Sequence, residues 1–263
     1  MAIFIRLSIA VLAAFLWAAS AARADSVVDY VLEHGADQSG AEHRQALIKH
    51  GRLYVKGADG SSKKDLLYDR GARTFWLIDH PKRSFYQVNE QTLLQWSQQG
   101  RALVGAAQTL ARQFNLDLPP EWQGAAAPAA MLSYVQRGEK RVNDIPCRQY
   151  DVVDGNRKTG ELCMADATGF NIPPDDYETL LSLKQFVVKA SNESAGIVSS
   201  FGIALPRLGN ADMTGIPVEI SSTAEQDVRR IRLGSASAAP VQAAAMNIPQ
   251  GYVASELPLP RMP

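Results

Sequence analysis

This sequence has no excess of charge of either sign. Its 27 lysines and arginines balance its 27 aspartates and glutamates, so the formal net charge is zero at pH 7. Affinity for nucleic acid comes largely from many basic side chains that neutralise phosphates. We therefore expect no nucleic-acid partner.

Catalytic and cofactor motifs are also missing. The chain has no G-x-S-x-G nucleophile elbow, no H-E-x-x-H zinc motif, no Gly-Lys-Ser/Thr phosphate loop and no G-x-G-x-x-G dinucleotide loop. A nucleophile needs an oriented base, and the imidazoles that could supply one are His34, His43, His50 and His80. We predict a protein that is not an enzyme, with no catalytic residues and no cofactor.

Two of these histidines offer a metal-binding alternative. A hairpin that turns around Gln38 and Ser39 would set His34 opposite His43, close enough for two ligands of a transition metal. The carboxylates that could complete such a site are Glu33, Asp37 and Glu42. Two histidines across a hairpin more often lie on a solvated strand, so we predict no metal site.

Long apolar runs are lacking beyond the start of the chain. There, Arg6 precedes an apolar stretch from Leu7 to Ala19, and the small residues Ala22-Arg23-Ala24 follow. This build predicts a secretory signal peptide, residues 1–24, that is cleaved before Asp25. A membrane anchor is the alternative, but the apolar stretch is shorter than the ~20 residues that span a bilayer. We expect a periplasmic or secreted protein with no transmembrane segment after cleavage.

Cysteine is scarce: Cys147 and Cys163 are the only two. An even number in an exported chain favours a disulfide. The two lie eight residues on either side of Gly155, within a good turn sequence, so a symmetric hairpin brings them face to face. A redox pair is the alternative, but there is no Cys-x-x-Cys motif.

The remaining pattern predicts an α+β protein with one large antiparallel sheet. Short runs separated by glycine, proline and polar turns predict strands: Val27–His34, Glu42–Lys49, Arg52–Lys56, Asp65–Asp69, Phe75–His80, Ser84–Val88, Leu132–Gln136, Cys147–Val153, Thr159–Ala165, Pro217–Ser222, Val228–Leu233 and a short closing piece near Met246. We expect residues 25–263 to form a single domain with a Pro-rich C-terminal tail.

Two helices interrupt these strands. The first is predicted after Asn89, which could cap it, and its apolar residues are three and four apart: Leu93, Trp96, Gly100, Leu103, Ala107, Leu110 and Phe114. The second opens at Pro173-Pro174-Asp175-Asp176, since proline and acids suit a first helical turn. Its predicted apolar side carries Tyr177, Leu180, Leu181, Val187 and Val188.

The stretch TFWLIDHPKRSFYQV, Thr74 to Val88, is apolar on both sides. If its turns are symmetric, alternate residues separate into two faces. One face holds Leu66, Tyr68, Phe75, Leu77, Tyr86 and Val88. The other holds Leu67, Trp76, Ile78 and Phe85. The first helix could cover one face, whereas the other could be covered core, a docking patch for a partner, or the lining of a cavity.

Several motifs carry a family resemblance. In the order of its motifs, the chain resembles an uncharacterised family of exported bacterial proteins, known only as a domain of unknown function. These motifs are LLYDRGARTFWLIDHPKRSFYQV, a helical middle, IPCRQYDV with GELCMA, then GIPVEI and MNIPQGY. That family is grouped with the LolA and LolB lipoprotein carriers. The resemblance implies a large curved antiparallel sheet, a LolA/LolB-like half-barrel, with helices packed on its concave face.

A half-barrel of this kind encloses an apolar hollow. The resemblance assigns a hydrophobic-ligand lining to Tyr68, Phe75, Leu77, Tyr86 and Val88. We expect a non-catalytic exported protein that binds a lipid, an acyl chain or another hydrophobic ligand. The alternative is an interaction or structural module of the cell envelope without a small-molecule ligand, which would dock an envelope protein through Leu67, Trp76, Ile78 and Phe85.

Overall fold

The computed structural model describes residues 25–34, 41–58, 63–114, 132–193, 213–222 and 229–256. The predicted signal peptide and most of the Pro-rich tail lie outside these ranges. Twelve strands form one sheet. They are β1 Ser26–His34, β2 Glu42–Lys49, β3 Arg52–Val55, β4 Lys64–Asp69, β5 Thr74–Asp79, β6 Ser84–Asn89, β7 Ser133–Val142, β8 Ile145–Asp154, β9 Arg157–Ala165, β10 Ile216–Ser222, β11 Arg229–Ala238 and β12 Val253–Ser255.

The sheet has the strand order β12-β6-β5-β4-β3-β2-β1-β11-β10-β9-β8-β7. It is open, because β12 and β7 are its two edges and do not pair with each other in the described part of the chain. The predicted antiparallel arrangement holds for every neighbouring pair except one. The last strand, β12, runs parallel to β6. The short piece near Met246 that was expected to be the last strand is a 3-10 helix, Ala243–Met246, and the last strand, β12, follows it.

The turns of the aromatic ribbon are the symmetric ones that the sequence predicts. Asp69 lies opposite Thr74, and Asp79 lies opposite Ser84. Each turn is held by the aspartate before it: Asp69 accepts a hydrogen bond from the Ala72 N–H at 2.9 Å, and Asp79 accepts one from the Lys82 N–H at 3.1 Å. Such side-chain-to-backbone bonds are how aspartate specifies turns.

Two long helices pack on one face of the sheet, which we call the inner face. Helix α1 spans Glu90–Phe114 and helix α2 spans Pro174–Glu193. The predicted cap of α1 is confirmed, because Asn89 Oδ1 accepts hydrogen bonds of 2.9 Å from both the N–H and the hydroxyl of Thr92. Neither helix is long and apolar enough to cross a membrane, among the residues that the structure describes. Curvature of the sheet around these helices remains a prediction.

The predicted apolar side of α1 is only partly right. Leu93 and Trp96 are buried, whereas Leu110 and Phe114 are 51% and 61% exposed. A 25-residue helix is about 38 Å long, and a six-residue strand such as β6 covers about 20 Å. The strand beside which α1 begins therefore cannot cover its whole length.

The core lies between the inner face and the helices. It draws side chains from strands along most of the sheet and from both helices: Val28, Ala46, Ile48, Leu53, Tyr68, Val88, Leu93, Tyr177, Leu180, Phe186, Val218 and Leu233. Helix α2 is also fixed to β1 by a polar contact, in which the buried Ser26 hydroxyl donates to Asp176 Oδ2 at 2.5 Å.

The predicted disulfide between Cys147 and Cys163 is present, with the Cα atoms 5.5 Å apart. The two cysteines are not directly opposite each other as the symmetric hairpin predicted. Cys163 lies opposite Gln149, so the bond runs diagonally from β9 to β8. The hairpin turns between Gly155 and Asn156, since Asp154 lies opposite Arg157, and an irregularity between Val152 and Val153 shifts the register further; the sequence pattern does not reveal this irregularity.

We predict that replacing both cysteines by alanine lowers the free energy of unfolding by about 3 kcal/mol, because the unfolded chain loses its cross-link. Urea denaturation of the oxidised protein and the double variant measures the difference. An unchanged urea midpoint on reduction of the wild type with dithiothreitol would contradict this prediction.

We predict that the free energy of unfolding depends on pH through the ionisation of Asp176. Burial raises the pKa of this carboxyl, while the Ser26 hydroxyl opposes the rise. A raised folded-state pKa contributes stability that is fully present below the unfolded pKa and is lost as pH rises through the folded value. Asp176→Asn should therefore be more stable than the wild type at pH 7, and this gain should shrink on acidification.

The matched control is Asp175→Asn in the same helical turn. The Asp175 carboxylate pairs with Arg70 at 2.6 Å, so its loss should destabilise the protein. A less stable Asp176→Asn protein at pH 7 would refute the assignment.

Candidate functional site

The predicted lining residues all lie on the inner face, in two rows across β4, β5 and β6. Tyr68, Phe75 and Val88 are neighbours in one row. Leu77 and Tyr86 lie opposite each other in the second row. The first row belongs to the core or packs directly on it, and both residues of the second row are buried. The sheet thus brings the five residues together as one apolar surface.

Helix α2 covers the first row. The ring centroid of Phe186 lies 5.4 Å from that of Phe75 in an edge-on contact and 6.1 Å from that of Tyr68. The Tyr68 hydroxyl also shares a 2.7 Å hydrogen bond with Ser182 Oγ, and burial raises the pKa of the tyrosine. Phe186 and Ser182 were missed by the sequence reasoning, because Phe186 lies outside the narrow apolar stripe predicted for this helix.

The second row reaches a polar rim. The Tyr86 hydroxyl lies 3.4 Å from Lys82 Nζ in the β5–β6 turn, and this lysine side chain is 65% exposed. A tyrosine placed in this way is apolar along its ring and polar at its tip. The surface offered by the five lining residues is therefore apolar, with hydroxyl groups at two positions and no charged side chain among them.

Ion pairs hold the start of helix α1. Glu90 pairs with Arg73 at 2.6 Å and with Lys189 of α2 at 2.5 Å. These contacts, first the hydrogen bond from Lys189, lower the pKa of Glu90. The side chains of Leu93 and Trp96, in the turns that follow, are buried. Further apolar side chains of α1 are exposed: Leu94, Leu110 and Phe114.

The outer face of the ribbon is mostly covered, and this corrects the predicted docking patch. Leu67 and Ile78 are buried, so they cannot contact a partner directly. Trp76 and Phe85 are half-buried. The C-terminal segment, residues 239–256, provides cover: its 3-10 helix contacts β3, Val241 and Met246 are buried, and its last strand lies beside β6.

The predicted juxtaposition of His34 and His43 is wrong. His43 lies opposite Val31, because the β1–β2 hairpin is shifted from the register that a turn at Gln38 and Ser39 would give. In the described residues, no three histidine, cysteine, aspartate or glutamate side chains are grouped as metal ligands. His80 instead joins a polar cluster on the outer face, which the sequence pattern did not reveal.

No family model and no curated protein matches the chain. Among solved structures, an uncharacterised conserved protein from Thermus thermophilus matches with 6% identity and a TM-score of 0.41, over 90% of this chain and 92% of that one. A LolA superfamily protein from Nitrosomonas europaea matches with 8% identity and a TM-score of 0.28, over 86% of this chain and 91% of that one.

A DUF1329 family protein from Desulfovibrio piger matches with 11% identity and a TM-score of 0.29, over 86% of this chain and 90% of that one. At these scores and identities, none of the three structures establishes the fold or the function of this chain. The resemblance to the uncharacterised family and to the LolA and LolB carriers therefore stays a prediction.

We predict that Phe186→Ala lowers the free energy of unfolding by about 3–5 kcal/mol, the usual loss for a buried phenylalanine. The matched control is Phe114→Ala at an exposed helical position, where a change within about 0.5 kcal/mol is expected. Thermal and urea unfolding monitored by circular dichroism gives both values. Equal effects of the two substitutions would show that Phe186 is not part of the packed core.

Proposed function

We propose that this protein is a non-catalytic exported protein that binds a hydrophobic ligand, such as a lipid or an acyl chain, between α1 and the inner face of the sheet. The observation that carries the proposal is the mismatch between α1 and the surface it covers. The helix lies next to an apolar face of the sheet, yet several of its large apolar side chains remain exposed.

The two helices differ in how they are held. Helix α2 inserts the fully buried Phe186 between aromatic side chains of β4 and β5. The start of helix α1 is held by partly exposed ion pairs at Glu90 and by the buried side chains of Leu93 and Trp96. Leu110 and Phe114, near its C-terminal end, are exposed. In our proposal the C-terminal part of α1 is the element that moves to admit a ligand.

The apolar residues of α1 explain what the moving helix would do. Leu110 and Phe114 are four positions apart, so they lie on the same side of the helix. Exposed leucine and phenylalanine side chains gain free energy by contacting an acyl chain. The signal-like residues 1–24 support export, and the lack of a catalytic motif in the sequence supports a non-catalytic role.

A docking role in the cell envelope is the second candidate. It is favoured by Trp76 and Phe85, which are half-buried on the outer face. Aromatic side chains with this degree of exposure are frequent at protein interfaces. This role needs no ligand on the inner face, so one experiment separates the two candidates.

We predict that the protein purified from periplasm carries extractable lipid and that it binds a fluorescent fatty-acid probe after delipidation. Leu110→Ser combined with Phe114→Ser should weaken probe binding at least about tenfold, because the ligand loses two apolar contacts, and should leave the melting temperature nearly unchanged. The matched control is Val135→Ser, an exposed apolar position on the far edge strand β7. Native mass spectrometry and probe titration provide the measurements. Lipid-free protein that does not bind the probe would overturn the proposal and favour the docking role.

A further inference from the structure

A buried carboxylate, an imidazole and a phenol are connected on the outer face of the sheet. Asp65 Oδ2 lies 2.7 Å from His80 Nε2, and His80 Nδ1 lies 2.9 Å from the Tyr252 hydroxyl. The three residues come from β4, the β5–β6 turn and the C-terminal segment. Nothing in the proposed binding of a ligand on the inner face uses them.

The carboxylate is fixed from several directions. The Asp65 side chain is only 3% exposed. It also accepts a hydrogen bond of 2.8 Å from the Gly57 N–H and one from the Tyr54 hydroxyl. A carboxylate held in this way cannot turn away from the histidine, so it determines the orientation of the imidazole ring.

The hydrogen-bond partners determine the tautomer of His80. An ionised carboxylate only accepts hydrogen bonds, so in the neutral imidazole Nε2 carries the proton and donates to Asp65. Nδ1 is then the acceptor, and the Tyr252 hydroxyl donates to it. This is the order of groups that activates a hydroxyl nucleophile: an acid that orients, a base that takes the proton, and the hydroxyl itself.

Access and position also suit a reacting hydroxyl. The His80 side chain is 31% exposed, and Tyr252 is half-buried. The backbone at Tyr252 is fixed, because the Tyr252 N–H donates to the Pro249 carbonyl at 3.4 Å and the Val253 N–H donates to the Arg83 carbonyl at 3.1 Å. The Arg83 guanidinium lies beside Gly251, the residue before Tyr252.

We propose that Tyr252 is a reactive tyrosine, a covalent acceptor for activated acyl or sulfonyl groups, with His80 as its base and Asp65 as the residue that positions the base. Tyr252 Oη forms a bond to the acyl carbon of an activated ester as its proton passes to His80 Nδ1. The ester bond to the leaving alcohol breaks, and the alcohol takes the proton. The reaction is one transfer per protein molecule and is independent of the proposed ligand binding.

Tyr54 provides an internal contrast. Its hydroxyl donates to the same Asp65 carboxylate, without a base to receive the proton. Burial and the Asp65 contact raise the pKa of Tyr54. A phenol that is held protonated in this way is a poor nucleophile, so the two tyrosines of the cluster should react very differently.

The test uses 4-(2-aminoethyl)benzenesulfonyl fluoride, which transfers its sulfonyl group to the phenol oxygen and releases fluoride. Rates are followed by intact mass, and the site is identified by peptide mapping. We expect Tyr252 to be labelled about 100-fold faster than N-acetyltyrosinamide, within the range of general-base catalysis. Tyr54 should remain unlabelled, and Tyr252→Phe should remove the fast reaction.

His80→Gln should reduce the labelling rate of Tyr252 to within about threefold of the model phenol, because the base is lost. The matched control is His43→Gln, a histidine outside the cluster, which should keep the wild-type rate. If His80 had only a structural role, His80→Gln would lower the melting temperature without a specific effect on the labelling rate of Tyr252.

The pH profile decides the question even where a variant is unstable. With a histidine base, the wild-type labelling rate reaches a plateau as the pH rises. Ionisation of a free phenol instead gives a tenfold increase for each pH unit up to its own pKa. Among the described residues, the titratable groups bonded to His80 are Asp65 and Tyr252, with Tyr54 on the same carboxylate and with Lys82 and Arg83 in the same turn. A rate equal to that of the model phenol, a simple phenol profile, or an undiminished rate in His80→Gln would overturn the proposal.

Discussion

Alternate side chains of a strand point to opposite faces, and this constraint governs the whole molecule. One layer of twelve strands has two faces, and a sequence that places apolar residues on both must cover both. The inner face is covered by α1 and α2. The outer face near β3 to β6 is covered by residues 239–256, which begin after β11 and end beside β6. The doubly apolar ribbon is thus explained by two separate covers rather than by one.

Covering the outer face brings polar groups into the interior, and these groups are paired. Asp25 accepts hydrogen bonds from Lys49 at 2.6 Å and from the Val241 N–H at 2.9 Å. Lys49 also donates to the Val241 carbonyl at 3.0 Å. An unpaired buried charge would cost several kcal/mol. The C-terminal segment is therefore held by specific polar partners at both of its ends, Val241 and Tyr252, as well as by apolar packing.

The strands and their registers in the aromatic ribbon could be predicted because they depend on local pattern. Alternation and turn residues placed Glu42–Lys49 correctly and located the turns before Thr74 and Ser84. Long-range features could not be predicted in this way. The contact of Phe186 with two strands far away in the sequence, and the cover supplied by the C-terminal segment, leave no periodic signal. The strand β7 extends to Val142, well beyond its predicted end, because an exposed edge strand tolerates charged residues that hide the alternation.

The same argument decides which part of the fold can move. Opening α2 would separate Phe186 from Tyr68 and Phe75 and expose a buried aromatic, at a cost of about 3–5 kcal/mol from this side chain alone. At the C-terminal part of α1, Leu110 and Phe114 are already exposed, so opening this part brings neither side chain newly into water. Any binding on the inner face should begin at the C-terminal part of α1, while α2 and the first row of aromatic residues remain a fixed wall.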